Sequence, residues 1–410
     1  MHTIQVAIFF VISYLLSRVF VVLKIPELVL YYLFEKKHVS IQKLTFILIL
    51  GSALLSSVIA NVITVLTLMP LVLLLQKEFD RFGKDQLKIN TLFLLSVIWG
   101  ANIGGLGMVT GTTTNGILIG LYEVFKVPVG RDFTFLSWMS WGLPLQVVLS
   151  CIGWLILMAV FQPGKMMHQH DFRAKLESYS MSRKLQKKGF ALAAFFVLSA
   201  SLLSAGMNIL HVYRLEIMIL TVLWMIVFVY YLVFHYWETE DKSKLRLLML
   251  KDTLHDIPKK GILWISIGVI ITFVFWYFKL HKSAGYLLRD LFEGKSNMLM
   301  FYCLIGLIAT FASELFSNSG VQITMFMVLF PMTKYNPNLS WEGMLIITLC
   351  STCAFMSPIG TPSNGLGFGS SSKISIRHML SAGFVMNIAS ALVISLWVTQ
   401  VVPVINKYLL

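Results

Sequence analysis

Residues 357–367, SPIGTPSNGLG, interrupt an apolar stretch that otherwise runs from 342 to 371. Residues 104–115, GGLGMVTGTTTN, interrupt another that runs from 91 to 125. The two interruptions echo each other, GTTTN at 111–115 against GTPSN at 360–364. Irregular backbone inside a bilayer is tolerated only where it lines a cavity or is buried in protein. Both stretches therefore read as discontinuous helices. A pair of them at corresponding places in two halves of a chain points to a transporter's midplane site.

The composition supports the membrane setting. Of 410 residues, 57% are hydrophobic and 13% charged, about half the charge of a soluble domain. Stretches at 5–23, 190–210, 215–234, 261–278 and 379–402 approach or exceed the ~20 apolar residues that span a bilayer. In a soluble protein the net charge of +14 would suggest nucleic acid. Here it reflects lysines and arginines in cytoplasmic loops facing anionic lipid, and no nucleic-acid partner is expected. Cys350 and Cys353 have C-x-x-C spacing, but no second pair or nearby histidine completes a zinc site. No metal motif, phosphate loop or nucleophile–base pair lies in the apolar segments, so neither an enzyme nor a cofactor is expected. The N-terminus lacks a basic n-region and a cleavage site, so 5–23 reads as a retained span.

Most of the 33 lysines and arginines fall at 36–43, 76–88, 162–189, 242–260 and 373–377. These loops are expected to be cytoplasmic, with the N-terminus outside, in a multi-pass protein of the plasma (inner) membrane. Only about 35 apolar residues separate the first two basic loops, too few for two full spans. The region 41–75 therefore reads as a re-entrant hairpin with its tip near 57–61. The same reasoning from the other side makes 298–333 a hairpin with its tip near 317–320. The expected fold is an all-α integral membrane protein, an inverted-repeat secondary transporter with two re-entrant hairpins and two broken helices. Residues 1–165 form the first repeat, with hairpin 41–75 and broken helix 91–125. Residues 166–260 supply a basic linker and a helical pair at 190–236. Residues 261–410 form the second repeat, with hairpin 298–333 and broken helix 342–371.

Half-helix N-termini offer free N–H groups and a positive dipole end for an anion. Half-helix C-termini offer carbonyl oxygens for Na⁺. Serine, threonine and asparagine add neutral donors and acceptors without the desolvation cost of a fixed charge. Glu314 lies well inside an apolar stretch and is a candidate to carry a proton, contribute to a cation site or brace the tip.

The run CAFMSPIGTPSNGLGFGS at 353–370 resembles the second signature of the divalent anion/sodium symporters, citrate-transporter-like carriers of dicarboxylates, citrate or sulfate. SELFSNSG at 313–320 resembles that family's second hairpin tip. ANVITVLTLMP at 60–70 and ANIGGLGMVTGTTTN at 101–115 resemble its N-terminal elements, which are shared with the wider ion transporter superfamily. The resemblance implies a homodimer of elevator type that couples a small anion to Na⁺ or H⁺. It implies substrate contact by Asn61, Thr112, Thr113, Asn115, Asn318, Ser319, Thr361, Pro362 and Asn364. It implies one Na⁺ site from Ser56, Asn61 and the Gly111 carbonyl, and another from Ser313, Asn318 and the Gly360 carbonyl. No metal beyond Na⁺ is implied. Ala60 and Val62 stand where the family's first tip has Ser and Thr, and Thr113 replaces a proline. The alternative reading is a cation/proton antiporter or metalloid efflux carrier of the same superfamily. Such antiporters usually carry Asp where this chain has Ala60.

Overall fold

The computed structural model describes residues 2–23, 40–78, 86–124, 134–163, 183–238, 244–248, 274, 277–278, 298–333, 338–371 and 374–409. Most of the expected span at 261–278, and the basic linker from 164 to 182, lie outside the described residues. The helices are α1 His2–Val22, α2 Ile41–Val58, α3 Asn61–Glu78, α4 Gln86–Gly104, α5 Thr113–Val124, α6 Phe135–Phe161, α7 Arg183–Ile209 and α8 Arg214–Phe234. They continue with α9 Met298–Ala312, α10 Asn318–Thr333, α11 Asn338–Thr352, α12 Pro362–Ser370, α13 Ile376–Leu396 and α14 Val402–Leu409. A π-helical turn, Trp397–Val401, joins the last two. Among the described residues, six segments are long and apolar enough to cross a membrane: Ile41–Val58, Gln86–Gly104, Phe135–Phe161, Lys184–Met207, Arg214–Phe234 and Ile376–Lys407.

One departure from an all-helical chain is a small antiparallel ribbon, β1 Tyr236–Glu238 with β2 Lys244–Arg246. Its second strand lies in the basic loop expected at 242–260, and its first begins at Tyr236, the last residue of the helical pair expected at 190–236. Trp237, buried between exposed Tyr236 and Glu238, anchors the ribbon.

Helix α4 is the centre of the fold. Its apolar window is 89% buried, against 17% for α8. A helix that is apolar all round belongs in a core. Gly100 and Gly104, four residues apart, let α2 approach it closely. A Cβ on Gly100 would lie 2.7 Å from the Ser52 Cβ, and one on Gly104 would lie 2.6 Å from the Ser56 Cβ. Small residues on both faces are the usual means of close helix approach where lipid removes the hydrophobic drive.

Both expected tips are real helix breaks. The first falls at Ile59 and Ala60: Ile59 is extended, and the Ala60 carbonyl accepts from Ile63 and Thr64 to open α3. The second falls at 313–317 rather than 317–320. Ser317 acts as the N-cap of α10, its hydroxyl accepting from the Gly320 N–H at 3.2 Å, so Asn318 is already helical.

The helices after the two interruptions change partners. α5 leaves α4 and packs against α10 and α11, while α12 packs against α3 and α4. α6 and α13 pack against each other, and each closes over one interruption.

Candidate functional site

The first site is built where the α2–α3 tip meets the unwound end of α4. Ser56 Oγ lies 2.9 Å from the Asn61 amide. The same end of that amide faces the Gly111 carbonyl at 3.2 Å and the Ala101 carbonyl at 3.3 Å, and all three oxygens accept once Nδ2 is turned toward them. Asn61 thus rests in a cage of oxygens. Gly105 permits this, because a Cβ there would lie 2.9 and 3.1 Å from the two ends of the Asn61 amide. Ser56, Asn61 and Gly111, expected together from the sequence, do lie together. The Ala101 carbonyl is an additional member.

At the second tip, Ser313 Oγ and Asn318 Oδ1 are both buried and have no hydrogen-bond partner. Gly360 sits against the same turn: a Cβ there would lie 2.9 Å from Glu314 Oε2 and 3.3 Å from the Ser313 carbonyl. Buried side-chain oxygens are normally satisfied. Two orphaned oxygens at one tip mark a place suited to an electropositive partner.

Glu314 is a bracket. Oε1 accepts from the Met356 N–H and from Asn387 Nδ2, each at 2.7 Å, and Oε2 accepts from the Ser357 N–H at 2.7 Å. The Ser357 hydroxyl donates back to the Glu314 carbonyl at 2.8 Å. Asn387 Oδ1 accepts from the Phe355 N–H at 3.1 Å. One carboxylate and one amide therefore clamp three successive N–H groups of the unwound segment, donors that a broken helix leaves without partners.

The two interruptions share a hydrogen-bond plan. Asn115 Nδ2 donates to the Gly105 and Met108 carbonyls at 2.9 and 3.1 Å. Asn364 Nδ2 donates to the Ala354 and Ser357 carbonyls, both at 2.9 Å. The spacings back along the chain are the same, ten and seven residues. Indole nitrogens satisfy corresponding carbonyls: Trp138 donates to Leu106 at 3.0 Å and Trp99 to Phe355 at 3.1 Å. Gly142 of α6 lies against the Leu106 and Gly107 carbonyls, and Gly383 of α13 against Phe355 and Met356. Four residues beyond each of these glycines an amide reaches a tip: Gln146 meets Ser57 at 2.6 Å and Asn387 meets Glu314.

Direct bonds join the two interruptions. Asn102 Nδ2 donates to the Ala354 carbonyl at 3.0 Å and to Asn364 Oδ1 at 2.9 Å. Thr114 and Thr352 hydroxyls lie 2.9 Å apart. Gln322 of α10 donates to the Thr114 carbonyl and to Thr348, both at 2.8 Å.

The remaining expected contacts divide by exposure. Thr113 and Pro362, first residues of α5 and α12, are exposed although their neighbours Thr114, Asn115, Thr361, Ser363 and Asn364 are buried. Thr112, Ser319 and the two tip asparagines are half-buried. The Asn364 side chain is saturated, because Oδ1 also accepts from the Thr361 hydroxyl at 2.8 Å. The Thr361 hydroxyl in turn caps α12 through the Asn364 N–H at 3.1 Å. These two residues shape the segment from within. Asn115 keeps one buried oxygen without a partner.

Sequence reasoning did not single out Asn102, Gln146, Gln322 or Asn387. Each is a buried amide inside an apolar helix, which is the one signal that could have found it. Cys350 and Cys353 are free and buried.

Long apolar helices around two polar, non-helical interruptions define a polytopic integral membrane protein of the transporter class. The profile of the citrate transporter family matches residues 3–288, and the chain belongs to that family. It is 25% identical over 376 residues to the sodium-dependent dicarboxylate transporter SdcS of Staphylococcus saprophyticus, covering 86% of this chain and 68% of that protein. It is 26% identical over 382 residues to the SdcS of Staphylococcus aureus, covering 89% and 70%. These relatives and the family are transporters, not enzymes.

Proposed function

We propose that this protein carries a small di- or tricarboxylate across the membrane, coupled to Na⁺. The observation that carries the reading is the repeated hydrogen-bond plan: two tips and two interrupted segments held to one another by equivalent contacts. Inverted repeats arranged in this way place substrate and coupling ions between discontinuous helices. Helices α9 and α10, of 15 and 16 residues, reach about 22–24 Å, short of the ~30 Å hydrocarbon core. That supports a re-entrant hairpin rather than two spans. Basic residues at both ends of the α2–α3 pair, Lys43 and Lys77, support the same reading for the first, with both ends cytoplasmic.

In this arrangement the Ser56 hydroxyl and the Gly111 and Ala101 carbonyls, which here accept from Asn61 Nδ2, hold one cation once Asn61 turns its Oδ1 toward it, and Ser313, Asn318 and the Gly360 carbonyl hold the other. Oxygen donors without fixed charge suit Na⁺. The exposed first residues of α5 and α12, Thr113 and Pro362, mark where the positive dipole ends of these two helices face the anion. Asn61, Asn318 and Ser319 close on it from the tips. Asn115 and Asn364 hold the two segments in shape. The protein works as a homodimer, as the family resemblance implies.

Purified protein in liposomes should take up labelled succinate or citrate when an inward Na⁺ gradient is imposed, and sulfate and phosphate more weakly. If no anion enters but internal pH responds to added Na⁺, the protein is a cation/proton antiporter and this reading fails.

A further inference from the structure

Helices α7 and α8 pair around a 3₁₀ turn, His211–Tyr213, and flank an open groove of about 550 Å³ whose lining includes no residue of the interrupted segments. Its volume falls among those of small-ligand clefts, ~300–1,000 Å³. The groove is graded along its length. Trp224, Phe228 and Tyr231 follow one face of α8 at intervals of four and three residues, and His235, just past its end, stacks on Tyr231. Lys188 and Phe195 follow one face of α7 in the opposite sense, so Lys188 lies at the His235 end and Phe195 beside Phe228. The Phe195 and Phe228 rings stack with centroids 6.1 Å apart. At the polar end the Trp237 indole donates to the Tyr231 hydroxyl at 3.0 Å, and the Lys188 ammonium lies 5.6 Å from the centre of the Trp237 ring. One end is hydrocarbon and the other is cationic and wet, the polarity of a single amphiphile.

The charge specifies which amphiphile. Lys184, Lys187 and Lys188 are exposed in the first turns of α7, and no acidic residue lies in its first turn. Cations at a helix N-terminus work against the macrodipole, and an anion placed there relieves both that and their mutual repulsion. Glu238 follows Trp237 on the ribbon and points to the opposite face. We infer that the groove between α7 and α8 binds one anionic phospholipid, its phosphate at Lys188 beside Trp237 and an acyl chain along Phe195, Phe228 and Trp224. The site lies on the peripheral helix pair and uses none of the transport residues.

Native mass spectrometry of the delipidated full chain tests this, with phosphatidylglycerol and phosphatidylcholine as probes. One phosphatidylglycerol should be retained, at least tenfold more strongly than phosphatidylcholine. Lys188→Glu, at an exposed position, should remove that preference. Ala191→Trp, at the groove wall, should block both lipids. Equal retention of the two lipids by wild type, or a phosphatidylglycerol preference unchanged in Lys188→Glu, overturns the assignment. So does displacement of the lipid by inorganic phosphate, which would make the site one for a soluble anion.

Discussion

Glu314→Ala should unfold the second interrupted segment and abolish transport. The change strips the acceptors from the Met356 and Ser357 N–H groups and from Asn387 Nδ2. Each buried donor left without a partner costs about 1–3 kcal/mol, so the sum is a large part of a membrane protein's stability. Glu314→Gln keeps one oxygen, enough for Met356 and Asn387, but turns an NH₂ group toward the Ser357 N–H. It should lose about 1–3 kcal/mol and fall between wild type and alanine. Thermal melts in detergent, followed beside uptake in liposomes, check this ranking. If Glu314 instead served only as a proton carrier, Glu314→Gln would melt like wild type while losing pH-dependent uptake.

Asn318→Ala should do the reverse: leave the fold alone and remove coupling. The Asn318 Oδ1 atom is buried without a partner, so deleting it forfeits no hydrogen bond through that oxygen, and stability should change by less than about 1 kcal/mol. Uptake at low Na⁺ should fall at least tenfold, about 1.4 kcal/mol, with recovery as Na⁺ is raised. Asn61→Ala differs in a way set by geometry. Its amide is bonded to Ser56 and the Gly111 and Ala101 carbonyls, so that variant should lose both stability and uptake. Paired melts and Na⁺ titrations separate the two tips. Unchanged Na⁺ dependence in Asn318→Ala would remove the second cation site from the mechanism.

The interruptions were legible because glycine, proline and clustered threonine have few reasons to sit in the middle of an apolar run. The helix ends at Gly104 and Thr352, and the restarts at Thr113 and Pro362, fall inside the stretches that the composition marked. The second break falls a few residues before the tip expected at 317–320, and Asn318 is already helical. The capping serine before it, Ser317, is the residue that fixes the start of α10. Glu314 was visible as an acid in hydrocarbon. Its partners were not, since Met356 and Ser357 lie some forty residues on and Asn387 further still. Local pattern sets where a helix breaks. Which distant amide satisfies the break is decided by packing, and Asn102, Gln146, Gln322 and Asn387 carried no spacing that announced it.

The proposed function requires a re-entrant course for α2 and α3, with the first tip in the membrane interior. Lys43 and Lys77, exposed at the outer ends of that pair, offer a direct measurement. Single cysteines at these positions, in sealed vesicles of known orientation, are treated with a membrane-impermeant maleimide. Both should react from the same face. Reaction of Lys43→Cys from one face and Lys77→Cys from the other would make the pair a through-going span and separate the tip from the pocket.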